Sequence, residues 1–117
     1  MKKIIPLVGG EENANYSLLV DLGDYSYEFI LHYQQNGQWS IDVVADGDVG
    51  DVPTVTVNSK KYIAMGAMLE GGSDIVSEHM ISSNFGQLFF FGEDATLDNL
   101  GSENKLVWYS PDEVILF

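Results

Sequence analysis

The chain reads as all-β: a small antiparallel β-sandwich or partly open barrel that begins with a three-strand meander. Three observations predict this. Turn signals recur at short intervals along the sequence, as in all-β domains. Alanine is scarce while β-branched and aromatic residues abound. Residues 16–45 alternate apolar and polar side chains in a pattern that fits three paired strands.

The meander can be read residue by residue. Leu22-Gly23-Asp24-Tyr25 has the form of a two-residue hairpin turn with glycine first. Counting back from it pairs Leu22 with Tyr25, Val20 with Tyr27, Leu18 with Phe29 and Tyr16 with Leu31. All are apolar and share a face. The opposite face pairs Asp21 with Ser26 and Asn15 with His32. At the second turn, a two-residue loop at Asn36-Gly37 would set Leu31 opposite Asp42 and mix the faces. A three-residue loop, Gln35-Asn36-Gly37, instead pairs Tyr33 with Trp39, Leu31 with Ile41, Phe29 with Val43 and Tyr27 with Ala45. A one-residue slip flips every side chain, so the apolar pattern selects the longer loop, with Gly37 left-handed.

The remaining elements are shorter. Asp46 to Asp51 form an acidic, glycine-rich loop. Val52 to Val57 and Tyr62 to Met65 read as strands around Asn58-Ser59, and Gly66 to Gly72 as irregular. Ser73 to Ile81 fits either a short helix capped by Ser73 or an extended connection. Leu88 to Phe91 and Leu106 to Tyr109 are apolar runs suited to buried strands. Between them, Thr96 to Gly101 predicts one turn of helix closed by Gly101. Pro111 ends the last of these strands, and Val114 to Phe117 is again apolar.

Size and composition narrow the function. A length of 117 residues suits one domain, 1–117, and a hydrophobic content of 45% argues against disorder. The net charge of −13 disfavours direct binding to phosphate backbones or anionic membranes. Cysteine is absent, which excludes disulfides, thiolate metal sites and thiol catalysis. The apolar run after Lys2-Lys3 is too short for a signal-peptide core, and no stretch reaches membrane-spanning length.

Chemistry-bearing residues are few. The histidines, His32 and His79, lie far apart and read as ordinary side chains. No nucleophile elbow, phosphate loop or zinc-binding helix motif occurs. Asp46, Asp48 and Asp51 depart from the spacing of a calcium loop and read as a solvated turn. No catalytic residue, cofactor or metal ligand is expected. Apolar segments near both ends stand out instead. Ile4, Ile5 and Leu7, with Val114, Ile115, Leu116 and Phe117, must either complete the domain's own sheets or contact a partner, and these seven are the candidate partner-binding residues.

The order of residues resembles a known family. Ile4-Ile5-Pro6-Leu7 is followed by Asn15-Tyr16, the alternating Leu18, Val20 and Leu22, and then Tyr25, Tyr27, Phe29, Leu31 and Tyr33. Gly37, Trp39, Ile41 and Asp42 come next, and later Thr96-Leu97-Asp98-Asn99-Leu100-Gly101 and Leu106-Val107-Trp108-Tyr109-Ser110-Pro111-Asp112-Glu113. Together these resemble the small baseplate plug proteins of contractile-tailed bacteriophages, related to the plug of a cyanophage baseplate. The Leu-Asp-Asn-Leu-Gly block and the Tyr-Ser-Pro-Asp-Glu ending are the more specific parts. The stretch Ser73 to Asn84 departs from the family's glycine- and leucine-rich middle.

The resemblance implies a structural virion protein near the hub and tail tube, with no catalytic residues. It would be present in several copies, contact neighbouring tail proteins and be assembled in the host cytoplasm. It also suggests that an acidic surface facing the tube lumen would repel DNA. Other readings remain open on residues alone: a ligand-binding sandwich using Trp39, Trp108 and the tyrosines, a small hydrolase, or an acidic inhibitor of immunity type that mimics nucleic acid.

Overall fold

A computed structural model describes residues 2–76 and 85–111. Among these residues, nine strands form two antiparallel sheets stacked as an open sandwich, not closed into a barrel. The strands are β1 (Lys2–Ile5), β2 (Asn15–Leu22), β3 (Tyr25–Tyr33), β4 (Trp39–Asp46), β5 (Val55–Val57), β6 (Lys60–Met68), β7 (Ser73–Asp74), β8 (Gln87–Gly92) and β9 (Asn104–Tyr109). One sheet has the order β1-β9-β8-β7, and the other β2-β3-β4-β6-β5. A 3₁₀ turn, Glu11–Asn13, leads into β2.

The meander forms in the register that its alternation demands. Leu22 faces Tyr25, Tyr16 faces Leu31, Tyr33 faces Trp39 and Tyr27 faces Ala45. Gly23 and Gly37 both take positive φ, at 70° and 87°. The Gln34 N–H donates to the Gln38 carbonyl at 2.8 Å, which closes the three-residue loop between them. The apolar face of the meander buries Val20, Leu22, Tyr27, Phe29, Leu31, Ile41 and Val43. Against it pack Ile5, Leu88, Phe90, Leu106 and Trp108 from the four-stranded sheet. This inter-sheet layer is the main core and the main source of stability.

β8 and β9 bury both faces. Leu88, Phe90, Leu106 and Trp108 enter the main core, while Phe89, Val107 and Tyr109 form a second cluster on the opposite face. Burial on two sides is why these strands read as unbroken apolar runs.

Three details differ from expectation. The sixth strand continues to Met68 instead of stopping at Met65. It does so by shifting register against β4, with Ile41 opposite Ala67 but Val43 opposite Ala64. Gly66 takes φ 64°, and its N–H donates to Asp42 Oδ1 at 2.6 Å, so the bulged strand keeps its polar groups satisfied. Thr96 to Gly101 folds as successive turns rather than a helical turn, because Asn99 and Thr96 bond each other's backbone N–H groups. The fifth strand begins at Val55 rather than Val52, which is buried in the core ahead of it. Ser73 and Asp74 are extended, pairing with Phe90 and Phe89, and the rest of that connection, 77–84, lies outside the described residues.

Candidate functional site

The two tryptophans are core residues. Trp39 is 1% exposed and its Nε1–H donates to the Thr96 carbonyl at 2.8 Å. Trp108 is 3% exposed and donates to the Phe85 carbonyl at 3.0 Å. Neither offers a flat ring to solvent, so the aromatic platform of a ligand-binding module is not built from them.

Histidines and carboxylates do not converge on a reaction centre among the described residues. His32 is exposed on the outer face of β3 and contacts Asn15 through Nδ1. His79 lies outside the described residues. In the acidic loop, Asp48 Oδ1 accepts the Gly50 N–H at 2.9 Å. Asp94 Oδ1 likewise accepts the Gly71 N–H at 2.8 Å. No group of three or more metal-ligating side chains occurs among the described residues.

Burial alters two tyrosines. It pushes the Tyr27 hydroxyl up to about 12, with a smaller contribution from neighbouring Tyr25. It also raises Tyr16, against the opposing effect of the Val8 N–H that donates to its oxygen at 2.9 Å.

Two concavities mark the ends of the sandwich. At the meander's first turn, a cleft of about 350 Å³ is lined by Tyr25, Tyr27, Phe85, Trp108, Asp24 and Asp51. At the other end, an open depression of about 800 Å³ is lined by Glu93, Asp94, Thr96, Asn99 and Glu103. Asn99 organises the second. Its Oδ1 accepts the Thr96 N–H at 2.6 Å and its Nδ2 donates to the Asp94 carbonyl at 3.1 Å. Gly101 follows at φ 85°, where a Cβ would run into the Leu7 carbonyl oxygen. The Gly10 N–H donates to the Leu97 carbonyl at 2.6 Å, and Leu100 is buried. The Leu97-Asp98-Asn99-Leu100-Gly101 block is thus a clasp that ties the segment after β1 to the β8–β9 connection.

The apolar residues singled out by sequence separate. Ile4 stands opposite Val107 in the β1–β9 ladder and is 53% exposed. Ile5 and Leu7 are packed in the main core. Val114, Ile115, Leu116 and Phe117 lie outside the described residues. Sequence reading missed the exposed apolar residues of the β5–β6 hairpin, Val55, Val57 and Met65. The alternation of Val55 and Val57 with Thr54 and Thr56 looks like that of any buried strand, and only the edge position of β5 shows that they face solvent.

A β-sandwich whose large aromatics fill the core, with exposed apolar side chains at strand edges, is built to act through its surfaces. The chain belongs to the family described as cyanophage baseplate Pam3 plug gp18, whose model matches residues 1–111. This is a family of structural phage-tail baseplate plugs, and its match takes in the clasp and the whole sandwich. No curated protein and no solved structure gives a match to the chain.

Proposed function

We propose that this chain is a non-enzymatic structural part of a contractile phage tail, seated in the baseplate as a plug beside the hub and tail tube. The observation that carries this reading is the family match over residues 1–111. The geometry agrees with it: the block most specific to the resemblance serves as a clasp that holds the fold, not as a reacting centre. The domain spans residues 1–117 and needs no cofactor. Several copies bind neighbouring tail proteins in a symmetric particle assembled in the host cytoplasm. Ile4 and the segment Val114 to Phe117 contribute to those contacts. The net charge of −13 keeps the protein off DNA, and no described helix is long and apolar enough to cross a membrane.

Immunogold labelling of purified tails with antibody against the recombinant protein tests the assignment. Gold at the distal tip, with the protein detected in the same particles by mass spectrometry, is the expected result. Its absence from particles would overturn the reading.

A further inference from the structure

We propose that the β5–β6 hairpin is an assembly arm that seats on the acidic depression of a second copy of this chain, head to tail. The inference rests on charge, exposure and topology and does not depend on the virion reading.

The segment from Val52 to Leu69 contains no acidic residue and holds Lys60 and Lys61, two of the five cations of the chain. The other three lysines face all 18 acidic residues, so a segment of +2 is set on a body of −15. The same hairpin exposes Val55 by 63%, Met65 by 52% and Val57 by 38%. β5 is a three-residue edge strand held only by β6. The ladder between β6 and β4 ends at the Val44–Tyr62 pair, so Lys60 and Lys61 project past it. Neither lysine's ammonium group has a hydrogen-bond or ion-pair partner among the described residues. Unpaired cations beside an exposed edge fit a concave surface lined by carboxylates.

The chain carries such a concave, carboxylate-lined surface at its opposite end. Glu93, Asp94 and Glu103 line the open depression around Asn99. The Thr96 carbonyl there accepts the Trp39 Nε1–H, which places the depression at the start of β4. Lys60 lies at the other end of β6, since Met68 pairs with Ser40 and Tyr62 with Val44. From Lys60 to Met68 an antiparallel strand covers roughly 27 Å. One molecule's arm therefore does not reach its own depression. A contact between two different surfaces repeats from copy to copy and closes as a ring when the rotation allows.

Charge reversal on each side tests the contact. Two variants are made, Lys60→Glu with Lys61→Glu, and Glu93→Lys with Glu103→Lys. Sedimentation velocity follows each at low and high salt. The unaltered protein is expected to self-associate, more weakly as salt rises. Each variant alone is expected to lose association by at least about ten-fold. An equimolar mixture of the two is expected to restore it, because every contact then joins opposite charges. The mixture also controls for folding, since misfolded variants would not rescue one another. An unaltered protein that stays monomeric, variants that associate undiminished, or a mixture that stays monomeric would each overturn the proposal.

Discussion

Trp39 sits where several parts of the chain meet. Its ring lies edge-on to Tyr16 and Tyr33, with centroids 6.4 and 5.4 Å away. Its indole N–H reaches Thr96, and its carbonyl accepts the Leu69 N–H at 3.2 Å. Replacing it by Phe keeps most of the apolar area, leaves the Thr96 carbonyl without its donor and opens a cavity. The expected cost is about 2 kcal/mol, read from the midpoint of urea unfolding. Tyr27 predicts a pH effect. Its folded-state value is raised above the ordinary tyrosine value of 10.0, so its stabilising contribution is complete below about pH 10 and is lost as pH climbs through about 12. Alkaline unfolding, followed by phenolate absorbance and circular dichroism together, is expected to shift to higher pH in Tyr27→Phe. An unchanged midpoint would show that its ionisation is not linked to unfolding.

At the scale of elements, the turns carry the testable strain. Asn58 and Ser59 both take positive φ, at 50° and 68°, as a tight two-residue hairpin demands. Asparagine tolerates this and serine does so less well, so Ser59→Gly is expected to raise stability by about 1 kcal/mol in thermal or denaturant unfolding. The clasp behaves in the opposite sense. Asn99→Ala removes the acceptor for Thr96 and the donor for Asp94, and an expected loss of about 2 kcal/mol would appear in the same assay. The meander was legible in sequence down to its register, because one buried face and a period of two leave a single pairing that keeps Leu31 opposite Ile41. β6 was less legible. Gly66 interrupts its alternation, and only the distant Asp42 carboxylate shows that the strand continues. The Thr96–Gly101 block has helix-like spacing, but its fold follows from side-chain bonds to the local backbone that periodicity does not register.

For the whole molecule, charge is the dominant variable. A balance of −13 on a body measuring 36 × 34 × 20 Å repels itself, so raising ionic strength from low to physiological is expected to lift the melting temperature by about 3–6 °C. A calorimetric scan with no salt dependence would show the carboxylates to be too well solvated to matter. The candidate surfaces were only partly legible in sequence: Ile4 is where an exposed contact would need it, whereas Ile5 and Leu7 turn inward through strand alternation and the clasp. The sheet order β1-β9-β8-β7 has a further consequence, for the order of events in folding. β1 has no partner until β9, drawn from the far side of the described chain, is available. The meander β2–β4 needs only neighbours in sequence and closes two short loops. A chain emerging from the ribosome would therefore have the meander in place while Ile5 still waits for Leu106, and its apolar face would stay uncovered until the residues of β9 have been made. Pulsed hydrogen exchange during refolding is expected to protect Phe29 and Leu31 before Leu106, and simultaneous protection would mean that the two sheets form as one unit.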